Sequence, residues 1–187
     1  MPPSRRTTYV MVAAAGIGAG ILFAPLLLEP GTTAPLQLSA RYTARFAMAI
    51  FLFAFAAPAW WRALGAAENR DLLLAFAAAH VVHLIALTVY RVQYSLMPPT
   101  TSLIFGGLAY VLLLGLAIAL LFGKHSVSVQ PYILHYLLFI VALTYAGRLS
   151  DPATHRTGVY GLSACAAAFL LRHAGKRWGV GTVRATH

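Results

Sequence analysis

One hydrophobic stretch, Asp71–Val92, constrains the fold most, because it is long enough to span a bilayer and carries two histidines near its middle. His80 and His83 lie three residues apart, so on a helix they share one face, one turn above the other. Two side chains that leave one helix in nearly the same direction cannot lie on opposite sides of a metal ion. Ionisable groups at this depth predict a functional site, and any axial partner must come from another helix.

The composition predicts an integral membrane protein. Hydrophobic residues make up 60% of the chain and charged residues 10%, and the mean hydropathy is +0.75. The net charge of +10 comes from Lys and Arg between the apolar segments. It indicates a lipid bilayer with anionic headgroups as the partner, and no nucleic acid. The one cysteine, Cys165, excludes a disulfide within the chain and is interpreted as a packing residue.

The apolar segments predict an all-α fold, an integral membrane bundle of six transmembrane helices in a single domain over residues 1–187. The spans cover about 9–28, 42–61, 72–92, 103–122, 131–149 and 156–172. The first is interpreted as a retained helix rather than a signal peptide, with Gly16 and Gly20 forming a close-packed face. Pro58 is expected to kink the second span. Snorkelling by Arg156 and Arg172 is expected to lengthen the sixth.

Six spans put both termini on the same side of the membrane, and the distribution of charge predicts which side. With the termini inside, nine basic residues face the cytoplasm: Arg5, Arg6, Arg62, Arg70, Lys124, Arg172, Lys176, Arg177 and Arg184. Five face outwards: Arg41, Arg45, Arg91, Arg148 and Arg156. The positive-inside rule therefore predicts a multi-pass protein of the cell inner (cytoplasmic) membrane with both termini cytoplasmic.

A third histidine, His135, lies in the fifth predicted span and narrows the chemistry. The four carboxylates of the chain lie at span ends or in loops, which argues against a carboxylate proton relay and against a non-haem iron site. They are Glu29, Glu68, Asp71 and Asp151. Zinc needs three or four ligands, and nothing obvious completes such a set. Haem needs only one or two axial ligands, so two histidines on different helices suffice.

Other residue types agree with a haem site. Alanines next to the two helix-three histidines leave space for a flat macrocycle: Ala75, Ala77, Ala78 and Ala79. Arginines at span ends are candidates to pair with propionates: Arg45, Arg70, Arg91 and Arg148. The alternative is that each buried histidine only makes a hydrogen bond between helices. The remaining histidines are expected to be solvated in loops or in a basic tail that begins at His173: His125, His155, His173 and His187.

Short motifs over about residues 41–148 resemble a known family. They are Ala44-Arg45-Phe46, Asn69-Arg70 with the helix to His83, Gly106-Gly107-Leu108, Leu134-His135-Tyr136 and Thr144-Tyr145-Ala146-Gly147-Arg148. In this order they resemble the ferric-reductase-like transmembrane domain family. That family includes the haem-binding membrane subunit of the periplasmic methionine sulfoxide reductase system and, more distantly, the haem domains of ferric reductases and NADPH oxidases.

The resemblance implies that helices three and five each supply one histidine to haem b. Matching Arg70–Leu74 to the family's start of helix three gives His83 as the first ligand, with His80 as an extra histidine or alternative ligand, and Leu-His-Tyr gives His135 as the second. Leu73 stands where the family has glycine. One haem is implied, because Met97 and Phe122 occupy the positions of a second ligand pair. No flavin- or nicotinamide-binding domain is present, so FAD or FMN would act only through a partner.

The leading hypothesis is a membrane b-type cytochrome. It would relay electrons from a quinol or a separate flavoprotein to a partner acceptor, as one subunit of an oxidoreductase system rather than a complete enzyme. One alternative is a haem-free structural or partner-binding membrane protein. Another is a stand-alone ferric or quinone reductase.

Overall fold

A computed structural model describes residues 4–28, 35–59, 66–97, 100–122 and 129–177. Within those residues the chain forms six α-helices and no β-strand, which confirms the all-α prediction. The helices are α1 (Arg5–Leu28), α2 (Pro35–Ala56), α3 (Ala66–Gln93), α4 (Thr100–Leu121), α5 (Gln130–Ala146) and α6 (His155–Arg177), and a short 3-10 helix (Ala57–Ala59) follows α2.

Four helices in the described part of the chain are long and apolar enough to cross a membrane. They lie at Arg5–Leu28, Pro35–Ala59, Ala67–Gln93 and Leu103–Leu121. The fifth helix is apolar but has only 17 residues, and the sixth carries basic residues at both of its ends. The helices are thus typical of a multi-pass membrane protein, with four candidate spans among the described residues.

Two helices begin earlier than the hydropathy predicts. α2 starts at Pro35 rather than near residue 42, and α3 starts at Ala66 rather than near residue 72. Polar residues before the apolar part of α3 still favour a helix, and Glu68 in its first turn complements the helix dipole. Hydropathy locates the apolar part of a helix, not its ends.

The ends of three helices also differ from the predictions. The predicted kink at Pro58 is wrong: α2 ends at Ala56 and passes into the 3-10 helix, because proline cannot donate to the preceding turn. α5 ends at Ala146, three residues before its predicted end, and Pro131 lies in its first turn, where a proline is tolerated. α6 continues to Arg177, so the expected basic tail is helical as far as that residue.

The described residues form two compact units. Unit 1 contains those within 1–51 and 70–126, and unit 2 contains those within 52–69 and 127–187. The prediction of one domain stays a prediction.

In unit 1, α1 and α3 run parallel in a fixed register. The Thr7 hydroxyl donates a hydrogen bond to Asp71 Oδ1 at 2.8 Å. Eleven residues further along both helices, a Cβ on Gly18 would lie 3.4 Å from Val82 Cβ. Because both contacts keep the same offset, both helices begin at the same end of the unit.

α2 runs antiparallel to α3. As α2 advances from Thr43 to Phe51, its partner on α3 moves back from His83, 3.2 Å from Thr43, to Phe76, whose ring centroid lies 4.9 Å from that of Phe51. The Ser39 hydroxyl donates to the carbonyl of Leu22 at 2.5 Å and so ties α2 to α1.

The expected packing face at Gly16 and Gly20 is wrong. Among the described residues, a Cβ added at either position meets nothing within 4 Å, whereas Gly18, between them, packs against Val82. Gly16 and Gly20 lie on the other side of α1 from Gly18, because neighbours two residues apart on a helix point in nearly opposite directions.

In unit 2, α5 and α6 form an antiparallel pair that packs closely at glycines. A Cβ on Gly161 would overlap the buried ring of Tyr145, and one on Gly175 would lie 2.8 Å from Ala59 Cβ. These close approaches place the second half of α6 against the end of the 3-10 helix.

Candidate functional site

His83 is held in unit 1 by the fully buried Thr43, whose Oγ1 lies 3.2 Å from His83 Nδ1. The hydroxyl has one proton, and it points at carbonyls one turn back on α2, Ser39 at 2.8 Å and Ala40 at 3.2 Å. Oγ1 must therefore accept from His83, so the proton of the neutral imidazole is on Nδ1. The lone pair of His83 is consequently on Nε2.

His80 lies in an aromatic cluster of the same unit. Its ring centroid is 5.1 Å from that of Phe76, 5.5 Å from that of His83 and 4.9 Å from that of Tyr110 on α4. His80 Nδ1 is buried and has no hydrogen-bond partner among the described residues. The two helix-three histidines thus differ: among the described residues, Nδ1 of His83 has an oxygen partner and Nδ1 of His80 has none.

His135 lies in unit 2 with the same tautomer as His83. Its Nδ1 lies 2.6 Å from the carbonyl of Pro131, and a carbonyl can only accept, so the proton is on Nδ1. The edge-on ring of Phe55 lies 5.2 Å away between centroids, and that of Phe169 lies 6.3 Å away. The lone pair of His135 is therefore also on Nε2, in a partly buried aromatic setting.

The expectation that His173 belongs to a solvated tail is wrong in part. The side chain is exposed, but it lies on α6, and its ring centroid is 5.7 Å from that of His135 and 4.1 Å from that of Phe169. His155 is exposed, and its Nδ1 lies 2.8 Å from the carbonyl of Leu149. His125 and His187 lie outside the described residues.

Three of the four arginines predicted to pair with propionates, Arg45, Arg70 and Arg148, have different surroundings. Arg45 is exposed, with its guanidinium carbon 5.6 Å from the centroid of Tyr42, and Arg148 is half-buried, 5.0 Å from that of Tyr145. Arg70 Nε is buried without a hydrogen-bond partner in the described part of the chain. Arg70 therefore keeps a buried donor for an anionic group.

Asp71 and three alanines of α3 are buried in the structure. Asp71 lies near the start of its span, in the second turn of α3, as predicted, but it is buried and paired with Arg6 Nε at 3.1 Å. Three of the alanines expected to leave space are buried: Ala75, Ala77 and Ala79. Among the described residues, no three His, Cys, Asp or Glu side chains converge on a common metal position.

Comparisons with protein-family models, with curated proteins and with solved structures gave no match for this chain.

Proposed function

We propose that the chain is a membrane b-type cytochrome in which His83 and His135 supply the axial nitrogens for one haem b. The observation that carries the proposal is that Nδ1 of each of these two histidines lies within hydrogen-bond distance of an oxygen of its own unit, which favours the Nδ1–H tautomer in both. A histidine that binds metal through Nε2 almost always donates its Nδ1–H to an acceptor. Thr43 Oγ1 and the Pro131 carbonyl supply such acceptors.

The surroundings of the two imidazoles also suit a haem. Arg70 Nε is a buried donor without a partner among the described residues, which suits the pairing of a guanidinium with a propionate. Phe76, beside His80, and Phe55, beside His135, are buried, so they would exclude water. When bound, a haem with two imidazoles is six-coordinate and supplies electron transfer rather than oxygen activation.

His80 takes a different place in the proposal. Its Nδ1 has no acceptor among the described residues, although it is buried, so it lacks the partner that orients an axial imidazole. This favours His83 as the ligand on α3 and leaves His80 beside it as a ring neighbour, 5.5 Å away between centroids.

The electron donor in this proposal is a quinol or a separate flavoprotein, and the acceptor is a partner protein. FAD or FMN would enter only with that partner. The chain is therefore one electron-transfer subunit of an oxidoreductase system.

The test is a dithionite-reduced minus oxidised absorbance spectrum of detergent-purified protein from haem-replete cells. We expect a low-spin b-type spectrum that is lost in His83→Gly and in His135→Gly and partly restored by added imidazole. His80→Ala and His173→Ala should keep it, and His173→Ala is the matched control because its Nδ1 lies 2.8 Å from a helix carbonyl in the same way. Circular dichroism verifies that each variant folds.

A flat spectrum from wild-type protein would overturn the proposal and leave a haem-free structural or partner-binding membrane protein. If the spectrum were lost in His80→Ala but kept in His83→Gly, His80 rather than His83 would be the ligand on α3. Reduction of an acceptor by quinol with no other protein present would instead support a stand-alone reductase.

The proposed setting is the inner (cytoplasmic) membrane, crossed six times with both termini cytoplasmic. Nine basic residues on one side against five on the other support this orientation. Ser4→Cys and Ser95→Cys test it, because both positions are exposed and the native Cys165 is buried. An impermeant thiol reagent added outside should label Ser95→Cys and not Ser4→Cys. The reverse pattern would contradict the orientation.

A further inference from the structure

We infer that Thr43 is a positioning residue for the haem site: its hydroxyl accepts the Nδ1–H of His83 and thereby sets the tautomer and the basicity of that imidazole. The role in haem binding rests on the proposed function. The hydrogen bond does not depend on the proposed function, because Thr43 and His83 both lie in unit 1.

The hydroxyl of Thr43 is fixed as an acceptor by its own helix. Its proton points at the carbonyls of Ser39 and Ala40, 2.8 and 3.2 Å away. A threonine with this bond to the preceding turn has lone pairs left and no proton to give. The side chain on the facing helix must therefore bring the proton, and His83 Nδ1 is the atom that lies there, at 3.2 Å.

Burial makes this hydrogen bond hard to replace. Thr43 has no exposed surface, and neither has Ala47, one turn along α2. Water cannot take the place of the hydroxyl without a new cavity, and a buried N–H without an acceptor costs about 1–3 kcal/mol. Removing the hydroxyl should therefore move the proton to Nε2 or turn the ring.

The consequence for the iron follows from the chemistry of imidazole. An Nδ1–H that donates to an acceptor makes Nε2 a stronger ligand and keeps the ring in one orientation, and loss of such a partner typically lowers metal affinity about 10- to 100-fold. When the imidazole becomes a weaker electron donor, the ferric state loses more stabilisation than the ferrous state. The potential of the haem should therefore become more positive when the hydroxyl is lost.

The first experiment uses haem-free protein and reads the tautomer directly. Two-bond ¹H–¹⁵N correlation spectra of ¹⁵N-histidine-labelled protein in detergent should show His83 as the Nδ1–H form, with its signal assigned by comparison with His83→Gly. Thr43→Ser should keep that pattern, and Thr43→Val, which has nearly the same shape and no hydroxyl, should lose it. An unchanged pattern in Thr43→Val would overturn the inference.

The second experiment uses haem-loaded protein. Thr43→Val should raise the dissociation constant for haem about 10- to 100-fold and make the midpoint potential more positive, and Thr43→Ser should restore both. Thr144→Val is the matched control, because Thr144 Oγ1 also donates to a helix carbonyl one turn back, that of Ile140 at 2.8 Å, but is exposed. Equal effects of Thr43→Val and Thr144→Val would contradict a role specific to His83.

The two experiments separate the two ideas. Wild-type protein that never binds haem refutes the proposed function, while the tautomer of haem-free protein still decides the hydrogen bond. If Thr43→Val does not fold, Thr43→Ala removes the same hydroxyl without a second methyl group and takes its place in both experiments.

Discussion

Arg6 Nε lies 3.1 Å from Asp71 Oδ2, and this ion pair joins the first turn of α1 to the second turn of α3. The carboxylate is buried at 6% exposure, and Thr7 donates to its other oxygen. Because α1 and α3 are parallel, the pair lies where both helices begin. The two starts must therefore be on one side of any membrane that both helices cross.

Removing Arg6 should destabilise the protein because it leaves a buried carboxylate without its charge partner. The Arg6 side chain is 58% exposed, which limits the loss. We expect Arg6→Ala to lower the free energy of unfolding by about 1–3 kcal/mol, measured by SDS titration in mixed micelles. Arg5→Ala, next to it and exposed, should stay within about 0.5 kcal/mol. Equal losses in both variants would contradict a specific role for the Arg6–Asp71 pair.

Gly161 should not tolerate a methyl group. Its Cβ would overlap the buried Tyr145 ring, and such overpacking costs about 1–3 kcal/mol. No atom of the described part of the chain lies within 4 Å of a Cβ added at Gly107 on α4, so Gly107→Ala should stabilise its helix by about 0.5–1 kcal/mol. Unfolding titrations of Gly161→Ala and Gly107→Ala should thus shift in opposite directions, and a shift in the same direction would count against the close packing of α5 on α6.

Ser95 closes α3 in a left-handed conformation, with φ 52°. The amide of Leu96 donates to the carbonyl of Arg91 at 2.9 Å and that of Ser95 to the carbonyl of Val92 at 3.2 Å, which is the Schellman pattern that usually has glycine here. Ser95→Gly should therefore stabilise the protein by about 0.5–1 kcal/mol. Thermal unfolding followed by circular dichroism measures it. Ser150→Gly, in the turn after α5, should give no gain, and a gain of equal size there would refute this reason.

Arg172 stabilises the end of α2 through its planar guanidinium. It donates a hydrogen bond to the Phe55 carbonyl at 2.5 Å, and its guanidinium carbon lies 4.5 Å from the centroid of the Phe55 ring. Pro58, three residues after Phe55, has no amide proton to donate to that carbonyl. The snorkelling expected of Arg172 is thus replaced by an inward contact. Lysine cannot donate and stack in this way, so Arg172→Lys should cost about 1–2 kcal/mol.

The control for Arg172→Lys is Arg156→Lys on the exposed start of α6, which should change stability by less than about 0.5 kcal/mol. Both are measured by SDS titration. If Arg172→Lys left the free energy of unfolding unchanged, a positive charge alone would be sufficient at the end of α2.

The helices were predictable because each has an apolar stretch, but their ends were not. Ala66 to Arg70 and His173 to Arg177 are polar, and both segments simply continue a helix whose apolar part the sequence already marks. The close-packed residue of α1 was missed for a similar reason. A GxxxG spacing is symmetric about Gly18, and only the neighbouring helix decides which side of α1 faces inwards.

The histidines of the candidate site were visible as ionisable groups in apolar segments, but their partners were not. Thr43 lies 40 residues before His83, and Tyr110 is on a different helix from His80. No local pattern connects such residues. The burial of Asp71 was not predictable for the same reason, because its partners, Arg6 and Thr7, are 64 or more residues away.

Cys165 in α6 is buried, at 4% exposure, so the rate at which its thiol reacts reports how often α6 opens. A thiol reagent can modify native protein only while α6 moves away from its neighbours, and the sequence has no second cysteine to react. When closing is fast compared with modification, the rate of labelling measures the population of the open form. Thiol labelling of the purified protein can thus time the opening of this helix through its native cysteine, with no residue introduced by mutation.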